Sequence, residues 1–259
     1  SNMNKETPFL RKELFFVCAN LIKIIDYKIN NKDKGLLIFL PGLNEINLLN
    51  NYLNHFFKNN KDYFEIIILH SHSDINTYDK IVQYNNKTKI IIATDIAEYS
   101  LDLKNIYAII DFCFVEDNIY DYENNTYFTQ LKYSSKANLL QRKNLLSSNY
   151  EGFYYKLITK ELLQKLDEFP TPQIFYSSNI QIAMLKLKIY DDSIEPNKAL
   201  LKTVTPAREQ DLIDSIISLE NKKALYTDKD HFQSYSPIYE YKTGNITEIG
   251  KIYGEFPLI

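Results

Sequence analysis

The stretch KIIIATDIAEYSLDLKNIYAIIDF, Lys89 to Phe112, decides how the rest of the chain is read. It holds two short apolar runs, Ile90-Ile91-Ile92-Ala93 and Ala108-Ile109-Ile110. Both are β-branched and non-alternating, the pattern of strands buried on both faces of a parallel sheet. Thr94 and Asp95 open the polar connection between them. In an open α/β sheet the loops leaving the carboxyl ends of the strands carry ligands, so Thr94 to Ser100 is the first place to look for chemistry. The plainer alternative is an ordinary core strand and its connector.

Working outward, Leu10 to Tyr27 has helical spacing, and Leu36 to Leu40 reads as a buried strand ended by Pro41-Gly42. Asn44 to Lys58 follows as an amphipathic helix that Asn44 would cap. Glu65 to His70 reads as a strand and Asn76 to Tyr84 as a short helix. Strands alternating with helices predict an α/β fold with right-handed crossovers. Beyond Asp111 the pattern changes. Phe114 to Asp121 and Tyr127 to Tyr133 alternate around Glu123-Asn124-Asn125, which predicts a hairpin. Lys136 to Leu146 reads as a helix with Ser134-Ser135 as caps, and Phe153 to Ile158 as a strand. Pro170 and Pro172 mark a boundary. The remainder is mainly helical, over Ile180–Ile189, Asn197–Val204 and Gln210–Asn221. Two short strand-like pieces, Ala224 to Tyr226 and Gly244 to Thr247, complete the outline of a small winged-helix unit.

The bulk numbers exclude some classes. The chain has 259 residues, 45% hydrophobic and 24% charged, with net charge −3. That is globular composition without a basic nucleic-acid footprint overall. Cys18 and Cys113, the only cysteines, sit in apolar runs and read as buried free thiols of a reducing compartment. No apolar run approaches the ~18 residues of a membrane span. Ser1-Asn2 reads as a tag remnant, which suggests a piece cut from a longer protein. His70, His72 and Asp74 cluster, but they lack a fourth ligand, so no metal site is expected.

Several segments together resemble the DEAH-box RNA helicase family. GLLIFLPGLNEIN (Gly35 to Asn47) and LHS (Leu69 to Ser71) are similar to the start of its second RecA-like domain. KIIIATDIAEYSL is similar to motif V, usually written ATNIAETSL. The segment from Phe114 to Arg142 resembles the hairpin leading into motif VI. EFPTPQIFYSSNIQIAMLKLKIYDD and EPNKALLKTVTPAREQDLIDSIISL resemble the start of the family's winged-helix domain. GNITEIGKIYGEFPL resembles that domain's closing segment. Within the family the residues are nearest the spindle-E type, germline tudor-domain helicases of the piRNA pathway. The resemblance implies a tag remnant and linker over 1–9, a second RecA-like domain with a β-hairpin insertion over 10–170, and a winged helix over 171–259. The first RecA-like domain, with its GxxxxGK[ST] phosphate loop and DEAH tetrapeptide, is missing, as is the helical bundle that follows the winged helix.

The resemblance also implies roles for residues. ATP and Mg²⁺ would belong to the full-length parent, with neither bound tightly by this chain alone. Gln141 and Arg142 match the opening of motif VI and would face the nucleotide. The two finger arginines of the family fall on Leu145 and Ser148. A finger arginine accelerates phosphoryl transfer by about 10³–10⁵, so its loss points to impaired hydrolysis. The acidic residue near the nucleotide aligns with Lys104, and Asp102 stands two positions earlier. Thr94, Asp95, His70 and Ser71 would line single-stranded RNA, Thr94 donating to a phosphate. Partners would be that RNA, the first RecA-like domain and germline ribonucleoprotein components. The location would be cytoplasmic, in perinuclear RNA granules. Plainer alternatives stand beside these: a salt bridge for Arg142, a backbone-capping hydroxyl for Thr94, a structural strand end for His70, packing for Tyr99. The acidic hairpin (Glu116, Asp117, Asp121, Glu123) would repel phosphate, while Tyr120, Tyr122, Tyr127 and Phe128 would stack bases or pack across the strands. The rival to a motor is a helicase-fold scaffold for RNA or protein.

Overall fold

The computed structural model describes residues 8–28, 35–60, 63–71, 73–83, 87–98, 106–121, 126–146, 152–172, 177–226 and 243–256. The chain divides into two compact units, residues 1–117 with 129–170 and residues 118–128 with 171–259.

The first unit is built on a five-stranded parallel sheet. Its strands are β1 (Gly35–Phe39), β2 (Phe64–Leu69), β3 (Thr88–Ala93), β4 (Ile106–Asp111) and β7 (Phe153–Lys156), in the order β2-β3-β1-β4-β7. β1 lies at the centre, paired Leu37↔Ile91 on one side and Leu37↔Ile109 on the other. Every residue of β1 is buried, which is why that run shows no alternation. Helices α1 (Glu13–Lys28) and α2 (Leu43–Phe56) serve one face, through a core of Phe15, Ile22, Leu36, Ile38, Ile46 and Leu49. The other face packs Leu37, Phe39, Ile91 and Ile109 under Tyr78 of α3 (Ile75–Val82) and under Leu145 and Leu146. This is the parallel α/β arrangement expected from the strand runs.

A separate two-stranded sheet pairs β5 (Phe114–Asp121) with β6 (Thr126–Tyr133), the predicted hairpin. Phe114 stacks on Tyr133 with ring centroids 5.0 Å apart. Asp117 is buried and ion-paired to Lys132. The hairpin residues Tyr120, Tyr122, Glu123 and Tyr127 lie outside the residues whose side chains are described.

Local chemistry moved several boundaries. Gly42, not Asn44, is the N-cap of α2, and Asn44 lies inside the first turn. A Cβ on Gly42 would stand 2.0 Å from Glu116 Oε1, the end of a flexible side chain that can move aside. α2 stops at Phe56, and Lys58–Asn60 form a 3₁₀ turn. Asp74 caps α3 by accepting from the Thr77 N–H at 3.0 Å. Helix α4 (Lys136–Lys143) opens on Ser135 in a reciprocal capping box with Asn138, then relaxes into i→i+3 bonds at Leu145 and Leu146. A short helix, α5 (Lys160–Gln164), follows β7.

The second unit holds α6 (Ser177–Tyr190), α7 (Pro196–Leu201), α8 (Glu209–Asn221) and α9 (Glu248–Glu255). Ile180, Met184, Leu212, Ile216 and Leu219 form its core. The two predicted strand pieces meet in one antiparallel bridge, Leu225↔Ile246. The closing segment is a helix that sequence spacing did not suggest. α9 seats Gly250 and Gly254 against the Ala224 carbonyl and Ile189. Among the described residues no helix is long and apolar enough to cross a membrane.

Candidate functional site

Parallel strands place all their carboxyl ends on one edge. Five connections leave that edge: Pro41-Gly42 after β1, His70-Ser71 after β2, Thr94-Asp95 after β3, Phe112-Cys113 after β4 and Leu157-Ile158 after β7. The sheet therefore brings Thr94, Asp95, His70 and Ser71 to a common edge. The ladder runs on past the strands, with the Thr94 N–H donating to Leu69 at 3.3 Å and the Phe112 N–H to Phe39 at 3.3 Å. The Thr94 hydroxyl accepts from the Ile96 N–H at 3.5 Å, a weak local turn contact that leaves it half-buried at the edge. Asp95 is exposed at the head of a 3₁₀ turn, Asp95–Glu98. His70 turns the chain back: its N–H donates to the Ser73 hydroxyl and its carbonyl accepts from the Ser73 N–H, both at 2.9 Å. Asp102, Lys104, Tyr99 and Ser148 lie outside the described residues.

The 3₁₀ turn and α4 are joined by a buried polar network. Glu98 accepts from Arg142 Nε at 2.7 Å and from Asn138 Nδ2 at 2.9 Å. Gln141 Nε2 donates to the Glu98 carbonyl at 3.3 Å. Arg142 Nη1 donates to Asp111 Oδ1 at 2.8 Å, and its carbon lies 4.6 Å from the Phe39 ring centre. Asp111 also accepts from the Tyr154 hydroxyl at 2.6 Å and from the Cys113 N–H at 2.7 Å. Cys113 takes a left-handed backbone, φ 62°, uncommon for a residue with a side chain.

The electrostatics follow from burial. Loss of water pushes the Glu98 carboxyl above its ordinary range, while Arg142 and two side-chain hydrogen bonds pull it back. Burial alone would lower the Arg142 guanidinium, but Asp111 and Glu98 outweigh it and hold the charge. Burial, then the Asp111 charge, keeps Tyr154 protonated. Burial also pushes both thiols far up, so Cys18 and Cys113 are inert as nucleophiles.

Sequence reasoning sent Arg142 to a nucleotide. In the structure its guanidinium is fully buried, with Nε on Glu98, Nη1 on Asp111 and Nη2 on the Phe114 carbonyl. Gln141 is half-buried and shares the tie to Glu98. Leu145, at a finger position, packs on the apolar core beneath β1 and β3. Lys143 is exposed and lines a different cavity, between α4, β7 and α5. The described part of α4 thus does not fit the role of neutralising a γ-phosphate. Glu98 and Asp111 are the partners of Arg142 that the sequence pattern does not reveal. The one hint is that Arg11, Arg142 and Arg208 are the only arginines, and Arg142 has no acid within its own helix.

The edge itself is acidic. Glu116 is raised by burial first, then by the nearby charges of Glu45 and Asp95. Among the described residues no group of three or more His, Cys, Asp or Glu is arranged to hold a metal.

Comparison with known proteins accounts for this layout. Residues 17–144 match the helicase conserved C-terminal domain. The chain is 29% identical over 237 residues to a probable ATP-dependent RNA helicase spindle-E of Drosophila grimshawi, covering 90% of this chain and 16% of that protein. It is 24% identical over 271 residues to the ATP-dependent RNA helicase TDRD9 of Danio rerio, covering 98% and 19%. The fold superposes on the Escherichia coli DEAH/RHA helicase HrpB with TM-score 0.74 at 18% identity, covering 96% of this chain and 28% of HrpB. These likenesses support a DEAH-box-like helicase C-terminal domain over residues 17–144. The chain as a whole is related to the spindle-E and TDRD9 helicases, and spans under a fifth of the length of those two relatives.

Proposed function

We propose that this chain serves an RNA-helicase-type protein as its second RecA-like domain and winged helix, with ATP hydrolysis impaired by the loss of both finger arginines. The observation that carries this is the division of labour in α4. Its retained arginine is spent on Glu98 and Asp111, while finger position 145 holds a leucine packed on the core. What survives of motif VI is the part the fold requires. ATP and Mg²⁺ are ligands of the whole protein, held mainly by its first RecA-like domain, with Gln141 and Asp102 as the remaining contributors here. Single-stranded RNA crosses the strand-end edge at Thr94, Asp95, His70 and Ser71. Thr94 supplies a phosphate contact without sequence information.

A second reading is favoured by the edge chemistry. Asp95, Glu45 and Glu116 repel one another there, and they would repel phosphate too. The domain then acts as a helicase-shaped binding module rather than a motor, in germline ribonucleoprotein particles of the piRNA pathway at cytoplasmic perinuclear granules.

RNA-stimulated ATPase turnover of the full-length protein tests the first reading. A titration of this chain with single-stranded RNA at ~50 mM salt, where phosphate contacts are strongest, tests the binding role. No binding at that salt leaves the protein-scaffold version.

A further inference from the structure

Between α4, β7 and α5 the first unit has an open cavity of about 500 Å³, the size that admits a few side chains or a small ligand. Leu139, Leu140 and Leu163 supply its apolar wall, and Lys136, Lys143 and Lys156 stand around it. Among the described residues no carboxylate lines it. Lys136 is ion-paired to Glu168 at the surface, a contact that exchanges easily. Among the described residues Lys143 and Lys156 have no carboxylate partner; the Lys156 amine lies 5.6 Å from the Tyr154 ring centre. Leu140 is 59% exposed, although it lies on a helix whose opposite side is buried. The Tyr154 wall is fixed because its hydroxyl is bound to Asp111.

We propose that this cavity docks a short acidic segment of a partner polypeptide. An aliphatic side chain enters between Leu139, Leu140 and Leu163, and flanking carboxylates meet Lys143 and Lys156. Charge complementarity sets the sign of the partner. The wall chemistry sets its class. Nucleic acid binds by stacking bases on aromatic faces, and this cavity offers one aromatic ring, already faced by an amine. Leucine walls instead pack aliphatic side chains. Lysines are point charges on flexible stems, suited to carboxylates whose positions vary along a peptide. The proposal is independent of the ATPase reading, since none of these lysines serves Glu98 or Asp111.

The test is a random peptide display library selected against the whole chain, followed by anisotropy titration of the enriched peptides. The Lys143→Glu/Lys156→Glu variant is the comparison; both lysines are exposed, so it should fold as the parent does. Expected are acidic peptides centred on Leu, Ile or Met, weakened about 10-fold or more by the double reversal and by raised salt. Leu140→Glu should weaken the same peptides, and it replaces the double variant if that fails to fold. Absence of an acidic-aliphatic class, or equal affinity for the variants, overturns the proposal. So does displacement of the peptides by single-stranded uridine RNA with the same sensitivity to reversal, which would give the cavity to nucleic acid.

Discussion

Arg142 and Asp111 meet at 2.8 Å, and neither side chain has more than 1% of its surface in water. Asp111 ends β4 and Arg142 belongs to α4, so the contact fastens that helix to the sheet. Glu98 repeats the arrangement from the 95–98 turn at 2.7 Å. One cation thus ties the turn after β3, the end of β4 and α4 together inside the first unit.

Removing that cation strands two buried carboxylates. Breaking a buried pair from one side typically costs about 3–5 kcal/mol. Arg142→Met should therefore destabilise the chain by that order in urea unfolding. Arg142→Lys should fall between, because an ammonium cannot serve Glu98, Asp111 and the Phe114 carbonyl from one plane. A loss below ~1 kcal/mol for Arg142→Met, the scale of a surface pair, would mean the network is not structural.

Glu116 gives a pH signature. Its folded-state pKa is raised above the ordinary 4.5. Between that value and the raised one the unfolded chain has already lost the proton that the folded chain keeps. The unfolded state is therefore favoured increasingly as pH rises. Glu116→Gln removes this penalty. The variant should melt higher than the parent at neutral pH, with the difference shrinking as pH falls toward 4.5. It should also bind single-stranded RNA more tightly if RNA crosses that edge. Melting curves whose separation grows toward acid would refute the assignment.

The second unit has its own sensitive point. A Cβ at Gly250 would come 2.1 Å from the Ala224 carbonyl oxygen, a backbone atom that cannot swing aside. Gly250→Ala should destabilise that unit by about 1–3 kcal/mol, the usual cost of overpacking. Tyr226 fluorescence would not separate the units, so hydrogen exchange is the suitable readout: protection should fall in α6, α8 and α9 and hold in β1 and β3. Unchanged exchange in α9 would contradict the packing.

Cys18 and Cys113 are both fully buried free thiols with raised pKa. Neither should react with an aromatic disulfide reagent at neutral pH until the chain unfolds, and both should then react together with the loss of structure. A fast thiol in the native chain would show that one of them is reachable.

Much of the fold was legible because its decisive strands are unmixed. Leu36 to Leu40, Ile90 to Ala93 and Ala108 to Ile110 carry their burial in composition alone, and their spacing leaves room for crossover helices. Boundaries were harder, because they depend on contacts distant in sequence: α4 shortens once Leu145 turns to the core. α9 stayed hidden since its two glycines argue against a helix until Ala224 and Ile189 are seen to need the space. The site was legible as positions, not as partners. Motif spacing led to Arg142, but periodicity cannot reveal that Glu98 and Asp111, 44 and 31 residues away, converge on it.

RNA-stimulated ATP turnover of the full-length protein tests most directly the proposal that the helicase shape is kept without ordinary motor chemistry. The account predicts no RNA-stimulated hydrolysis above background, with partial recovery in the Leu145→Arg/Ser148→Arg double variant, since Leu145 is only half-buried and an arginine there can reach outward. Turnover at an ordinary helicase rate in the unaltered protein would contradict it.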